Sequence, residues 1–126
     1  MTIMDAELML RDATAGALED SEPTPASVDF GGPDQHPLTY VVVCPATSSG
    51  TTPKVDIVIQ ESDNDSDWRD AVVFPQILAA DVPAKFFMTA KLGARFRRYT
   101  ATLFNEDNDF GIVLIAAVIG GTYEDF

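Results

Sequence analysis

The chain has few of the residues that usually carry chemistry. Its 126 residues include one cysteine, one histidine and one tryptophan. Cys44 has no second cysteine for an intramolecular disulfide, and its apolar surroundings are typical of a buried thiol rather than an activated nucleophile. One histidine, His36, cannot build a multi-histidine metal site, and no serine lies in a nucleophile-elbow motif. We therefore predict no catalytic residue, no cofactor and no enzymatic activity.

Basic residues and long apolar runs are also scarce. Twenty acidic residues outnumber eight basic ones, giving a formal net charge of −12. This charge repels phosphate, so we expect no direct nucleic-acid partner. The longest apolar run, 110–119, is far shorter than the roughly 20 residues of a membrane-spanning helix. Because Asp5 and Glu7 interrupt any signal-peptide core, we expect a protein made in the cytoplasm without membrane association.

Hydrophobic alternation with a period of two is the main pattern present. In 95–104, for example, Arg97, Tyr99 and Leu103 fall on one face of a strand. The run 111–119 is unbroken and apolar, which is typical of a strand covered on both faces. The length fits one domain. We predict an all-β protein, an antiparallel β-sandwich of about eight strands, with a jelly roll among the topologies.

The first 25 residues differ from this β pattern. Pro23 and Pro25 oppose a helix and favour extended chain. The composition of 5–12 allows a short helix, which would be marginal alone. We predict an extended N-terminal arm at 1–25, packing over the domain or onto a neighbour, and a single sandwich domain at 26–126.

The run 61–67 is strongly acidic and is followed directly by the only tryptophan, Trp68. Asp63, Asp65 and Asp67 match positions 1, 3 and 5 of a calcium-binding EF-hand loop, but Trp68 and Phe74 occupy the positions that require Gly and Glu. Because Asp and Asn favour turns for local reasons, a solvated connection is the simpler interpretation. We predict no metal site, with a looser calcium site at the three aspartates as the weaker alternative. The same interpretation applies to a second acidic turn, 105–109.

Four of the eight basic residues fall within 91–98. Mixed arginine and aromatic residues can bind single-stranded nucleic acid, but the acidic composition argues against that use. Arginine is favoured at protein interfaces, since its planar guanidinium pairs with carboxylates. Arg95, Arg97 and Arg98 are therefore interface candidates, and the simpler interpretation is a strand whose arginines pair with the surplus acidic residues.

Four segments, taken in order, suggest a family. They are DAELMLRDA at 5–13, ASVDFG at 26–31, VDIVIQESDNDSDW at 55–68 and RFRRYTATLF at 95–104. Together they resemble the jelly-roll capsid cement, or decoration, proteins of tailed bacteriophages. The resemblance spans most of the chain but consists of short patterns, and 32–54 and 70–94 add little to it.

The resemblance implies a structural role with no catalytic residues. A cement protein of this kind lies on the outer surface of the virion, binds the major capsid protein, stabilises the shell and self-associates as a dimer or trimer. Leu8, Met9 and Leu10 would be apolar anchors of the arm. The alternative is a small β-sandwich binding module, which would use the acidic loops for calcium or Trp68 for stacking on a carbohydrate.

Overall fold

The computed structural model describes residues 9–19, 21–34, 36–44, 54–78, 84–104, 110 and 112–119. Within these ranges no helix is long and apolar enough to span a bilayer. The regular structure of the described residues consists of nine strands and one 3-10 turn. These are β1 (Met9–Arg11), the 3-10 turn (Ala13–Ala15), β2 (Val28–Asp29), β3 (Leu38–Cys44), β4 (Lys54–Ser62), β5 (Arg69–Val73), β6 (Ile77–Leu78), β7 (Ala84–Ala90), β8 (Phe96–Phe104) and β9 (Leu114–Ile119).

The strands form two antiparallel sheets packed face to face. Sheet A has the order β1-β9-β3-β7, and sheet B has the order β2-β8-β4-β5, with β6 also paired to β4. The pairing is nested, because β1 pairs with β9, β2 with β8, β3 with β7, and β4 with β5 and β6. A long antiparallel ribbon rolled up on itself gives this nesting, which is the topology of a jelly roll. The predicted β-sandwich is confirmed.

Alternation along the two longest strands builds the core. β4 buries Val55, Ile57 and Ile59, whereas the residues between them are only half-buried. β8 buries its odd-numbered residues from 97 to 103 in the same way. Each fully buried aliphatic side chain contributes roughly 1.5–3 kcal/mol to the hydrophobic stabilisation of the fold. These strands pair with each other along nine residues, from Lys54–Phe104 to Ser62–Phe96.

β9 is covered on both faces, as its unbroken apolar sequence predicts. Ile115 and Ala117 belong to the core between the sheets. Ala116 and Val118, on the opposite face, are also buried. An alternating polar pattern is therefore missing here because residues on both faces of the strand are buried.

The described part of the N-terminal arm is bound to the sandwich. Residues 9–11 form a strand, rather than part of a short helix, because the edge of β9 supplies backbone partners for them. Leu10 and Leu18 are buried in the core. Glu22 and Ala101 exchange both backbone hydrogen bonds, at 2.8 and 3.0 Å. Residues 1–8 lie outside the described part of the chain.

Candidate functional site

Arg97 is the centre of the first of two polar clusters between the sheets. Its side chain is fully buried and projects from β8 of sheet B. Nη1 of Arg97 donates to Oδ1 of Asp34 at 2.7 Å and to the hydroxyl of Tyr40, in β3 of sheet A, at 2.9 Å. Nε and Nη2 both donate to the carbonyl of Ala94, and the Phe30 ring lies 4.3 Å from the guanidinium carbon. We call this group the Arg97 clamp, since it joins the two sheets.

The carboxylate of the Arg97 clamp also fixes the backbone around it. Oδ2 of Asp34 accepts a hydrogen bond from the amide of Leu92 at 2.9 Å, and the amide of Asp34 donates to the carbonyl of Leu92. Burial raises the pKa of the Tyr40 phenol above its usual range, although the adjacent Arg97 acts in the opposite direction. Tyr40 therefore stays neutral and serves as a hydrogen-bond partner.

Arg11 forms a second clamp at a different place between the sheets. Its Nε and Nη2 donate to the two carboxylate oxygens of Glu22 at 3.0 and 3.1 Å. Nη1 donates to the carbonyls of Gly16 and Val113 at 3.0 and 2.9 Å. The hydroxyl of Tyr99, in sheet B, also donates to Glu22. Because Arg11 belongs to β1 of sheet A, this Arg11 clamp again joins the sheets.

The electrostatics of the Arg11 clamp favour the ionised carboxylate. Burial would raise the pKa of Glu22, but hydrogen bonds from Arg11 and Tyr99 outweigh burial and lower this pKa below its ordinary value. Burial, reinforced by Glu22, raises the pKa of Tyr99 to about 12. Among the described residues, no buried side-chain nitrogen or oxygen lacks a hydrogen-bond partner. The interior polar groups therefore satisfy one another.

The predicted interface residues fall into different environments. Leu10 and Arg97 lie inside the fold, where another subunit cannot reach their side chains. Arg95 is exposed and holds the Asp29 carboxylate with bonds of 2.8 and 2.7 Å, which lower the pKa of Asp29 to about 2. Met9 is half-buried at the register position of Ala116. Leu8 lies outside the described residues.

The acidic loop after β4 is organised by its own side chains. The carboxylate of Asp63 lies 3.5 Å from Arg69. Asp65 accepts a hydrogen bond from Ser27 at 2.6 Å, and Asp67 accepts one from Asn64 at 2.8 Å. The three predicted metal-ligand candidates thus have three separate protein partners. No group of three or more potential ligands occurs in the described ranges, which leave out 105–109.

Metal removal tests this interpretation of the acidic loop. We expect EDTA to leave the melting temperature unchanged, because the three carboxylates already have protein partners. Ser27 and Asn64 donate hydrogen bonds to two of them, and Arg69 forms an ion pair with the third. A calcium ion present at 100 times its Kd would instead add about 2.7 kcal/mol to the free energy of unfolding. Thermal unfolding with EDTA, and again with excess calcium, measures the difference. A calcium-dependent rise in melting temperature would contradict the expectation.

Trp68 and Arg98 meet on the solvent-facing side of sheet B. The guanidinium of Arg98 lies 4.4 Å from the centre of the Trp68 ring. Nε of Arg98 donates to Gln60 at 2.9 Å, and Gln60 donates to Asp70 at 3.0 Å. The outer face of sheet B also carries three exposed apolar side chains: Val73, Leu78 and Phe104.

Fluorescence quenching of Trp68 tests this stacking. We expect the neutral quencher acrylamide to act weakly on the native protein, because Arg98 covers one face of the half-buried ring. Arg98→Ala should increase the quenching constant about twofold, because the quencher then reaches both faces of the Trp68 ring. In the native protein the guanidinium shields one of these faces. Arg95→Ala, which removes an arginine away from Trp68, is the matched control. Saccharides that protect native Trp68 from quenching would favour the carbohydrate-binding alternative.

Cys44, His36 and Ser27 have separate environments. Cys44 is buried, and burial raises the pKa of its thiol to about 12, which makes thiolate scarce at neutral pH. His36 is exposed just before β3. Ser27 donates its hydroxyl to Asp65, whereas Ser48 and Ser49 lie outside the described residues. The described side chains therefore do not bring these groups together.

The two clamps are the main feature that reasoning from sequence missed. The alternation in β8 had placed Arg97 on the same face as Tyr99, Ala101 and Leu103, which is a signal for an inward-pointing arginine. Arg11 had no equivalent signal, because a register shift in β1 turns it towards the core.

No protein-family model matches the chain, and no curated protein sequence matches it either.

Proposed function

We propose that this protein decorates and cements the outside of a tailed-phage capsid by binding the major capsid protein. One observation carries the proposal. The four segments that resemble cement proteins fold into adjacent parts of one jelly roll, since three of them contain the neighbouring strands β2, β8 and β4. The fourth contains β1, which the Arg11 clamp attaches to β8. The described parts of the resembling segments are therefore connected in space.

The interior is suited to a protein that must resist mechanical stress. A cement protein has to keep its shape while the shell is under pressure, and two sheets that slide past each other would not do so. Both clamps join sheet A to sheet B through charge-assisted hydrogen bonds, which are stronger and more directional than neutral ones. These bonds between the sheets support a structural function.

The outer face of sheet B is the surface that we propose for capsid contact. Phe104 and Leu78 flank Lys54 in the register, and Val73 pairs with Val58 on the same face. Exposed apolar side chains mixed with long basic ones are typical of protein-binding surfaces. Arg98 lies on this face too, which keeps it among the interface candidates.

A binding experiment tests the proposed function. Expanded, DNA-free heads assembled from the major capsid protein of the same genome are mixed with the purified protein and sedimented. We expect saturable binding at a fixed ratio to capsid subunits, together with a higher melting temperature of the heads. Absence of the protein from sedimented heads at saturating concentration would overturn the proposal. Within the bacterial host, we expect synthesis in the cytoplasm and assembly onto the head.

Surface variants locate the contact. Phe104→Ser and Val73→Ser should each reduce head occupancy at a subsaturating concentration, because burying an apolar side chain contributes roughly 25 cal/mol per Å². Ile112→Ser, at an exposed apolar position outside sheet B, is the matched control. Equal occupancy for all three variants would place the contact elsewhere.

We propose that the arm also takes part in capsid binding. Deleting all of 1–25 would remove β1, Leu18 and Glu22 from the sandwich, so a loss of binding would report unfolding. Deleting only 1–8 keeps these residues and removes Leu8. We expect lower occupancy on heads after this deletion, with the melting temperature of the free protein unchanged. Full occupancy would show that capsid binding does not use the arm before Met9.

A further inference from the structure

Among the described residues, Arg98 is the arginine that has no carboxylate partner. The chain contains five arginines, all of them described, and 20 acidic residues that could pair with them. Four arginines form ion pairs with distances from 2.7 to 3.2 Å. These pairs are Arg11–Glu22, Arg69–Glu61, Arg95–Asp29 and Arg97–Asp34. In a chain with this surplus of acid, a guanidinium without a carboxylate is available to one from another molecule.

Neighbouring side chains hold Arg98 in one position. Its guanidinium carbon lies 4.4 Å from the centre of the Trp68 ring, and its Nε donates to Oε1 of Gln60 at 2.9 Å. Nε2 of Gln60 donates to Asp70 at 3.0 Å, which fixes the end of the amide that faces the arginine. The conformational entropy of this long side chain is therefore lost on folding rather than on binding, which favours affinity for a partner.

The outer edge of the Arg98 guanidinium keeps its hydrogen-bonding capacity. Stacking on Trp68 uses the face of the group, whereas its N–H bonds lie in the guanidinium plane. Gln60 accepts from Nε, and neither Nη1 nor Nη2 has a hydrogen-bond partner among the described residues. These two nitrogens form a planar fork that matches the two oxygens of a carboxylate. Because the Gln60 amide is neutral, it leaves the positive charge uncompensated.

We propose that Nη1 and Nη2 of Arg98 bind an aspartate or glutamate side chain of the partner protein, which, resting on the proposed function, is the major capsid protein. Val58 and Val73 form the adjacent row of the same face of sheet B. Val73 is 59% exposed, and a partner that covers it also removes water from the ion pair, which strengthens the pair. The net charge of −12 repels a nucleic-acid polyanion over the whole surface, so a single protein carboxylate is the better ligand.

A lysine substitution tests this recognition on heads. Arg98→Lys keeps the positive charge but replaces the planar fork by a point charge. We expect it to bind native heads about 10- to 100-fold more weakly, the range for the loss of hydrogen bonds to a charged group. Arg69→Lys is the matched control, since that guanidinium already pairs with Glu61. On heads whose surface carboxylates have been converted into amides, wild type and Arg98→Lys should bind equally.

Acetate tests the site on the free wild-type protein, without heads and independently of any variant's folding. It carries the proposed carboxylate and little else. During a titration with potassium acetate, we expect the NMR signals of the Arg98 Nε–H and the Trp68 indole N–H to shift saturably. The Nε–H signal of Arg69, which is already paired, should shift much less. Potassium chloride at the same ionic strength is the control and should not reproduce the shifts.

The outcomes separate the Arg98 site from capsid binding itself. Weaker binding of Arg98→Lys to native heads only, together with acetate-specific shifts, supports the site. Undiminished binding of Arg98→Lys to native heads overturns the site and leaves the capsid proposal intact, and so does an equal loss on native and amidated heads. A wild-type protein that does not sediment with heads overturns the capsid proposal. The acetate titration then decides on the site alone, and equal shifts in chloride overturn it.

Discussion

Asp34→Asn should lower the free energy of unfolding by about 3–5 kcal/mol, the range found when one partner of a buried ion pair is removed. The Arg97 side chain is fully buried and that of Asp34 is 6% exposed. The asparagine can still accept the hydrogen bond from the amide of Leu92, but it leaves the guanidinium as an uncompensated charge between the sheets. Urea unfolding at neutral pH measures the change.

Asp29→Asn is the matched control for this prediction. It removes the same charge from another Asp–Arg pair, in which Arg95 contacts Asp29 at 2.7 Å. Both partners of that pair are about half exposed, and solvent screens such pairs strongly. We therefore expect a much smaller change than for Asp34→Asn. Similar losses in the two variants would show that the Arg97 clamp contributes no more than a surface ion pair.

A double variant separates the ion pair from the packing around it. Replacing Arg97 by Met and Asp34 by Leu removes both charges together. Apolar replacement of a whole buried pair is often neutral or stabilising, so the double variant should be more stable than Asp34→Asn alone. The Tyr40 hydroxyl loses its partner in this variant, which limits the recovery. Loss of a cooperative transition would indicate that the clamp specifies the alignment of the sheets.

Much of the sandwich follows from local sequence. The alternation in β4 and β8 determines which residues point inward, because a one-residue slip would expose the whole buried set. The unbroken apolar run of β9 indicates burial on both faces. In each case the signal lies within a few consecutive residues, where a period of two can be recognised. The nested pairing of the strands, in contrast, depends on contacts between distant segments.

The polar clusters could not be predicted in the same way. Arg97 and Asp34 are 63 positions apart, and Tyr99 and Glu22 are 77 apart. The sequence around each residue contains no signal that identifies its distant partner. The arm was also separated from the sandwich because Pro23 and Pro25 break the β pattern. Its first described residues instead complete sheet A, since the edge of β9 offers hydrogen bonds that a short isolated helix could not match.

The two clamps have the same composition, an arginine, a carboxylate and a tyrosine, but their arginines come from opposite sheets. Arg97 extends from sheet B towards Tyr40 in sheet A, whereas Arg11 extends from sheet A towards Tyr99 in sheet B. A carboxylate lies beside each arginine, and backbone carbonyls accept its remaining hydrogens. Charge-assisted hydrogen bonds fix the relative position of the two sheets more specifically than the non-directional hydrophobic effect does. The pair of clamps therefore opposes shear between the sheets, which the proposed capsid role would require.

Glu22→Gln should lower the free energy of unfolding at neutral pH by about 2–3 kcal/mol, somewhat less than the range for a fully buried pair. The Arg11 side chain is fully buried, but that of Glu22 is 28% exposed, so solvent screens part of the interaction. The glutamine keeps the shape of the side chain and removes its charge. Glu19→Gln, at an exposed position in the same segment, is the matched control and should change stability little.

The pH dependence distinguishes a charge effect from a packing effect. Hydrogen bonds from Arg11 and Tyr99 hold the folded-state pKa of Glu22 below its ordinary value of 4.5. A depressed folded-state pKa contributes stability that is fully present above the ordinary pKa and is lost as pH falls through the folded-state value. The difference between wild type and Glu22→Gln should therefore be constant near neutrality and shrink below about pH 4.5. Urea unfolding at a series of acidic pH values measures that difference, and a difference independent of pH would assign the loss to packing instead.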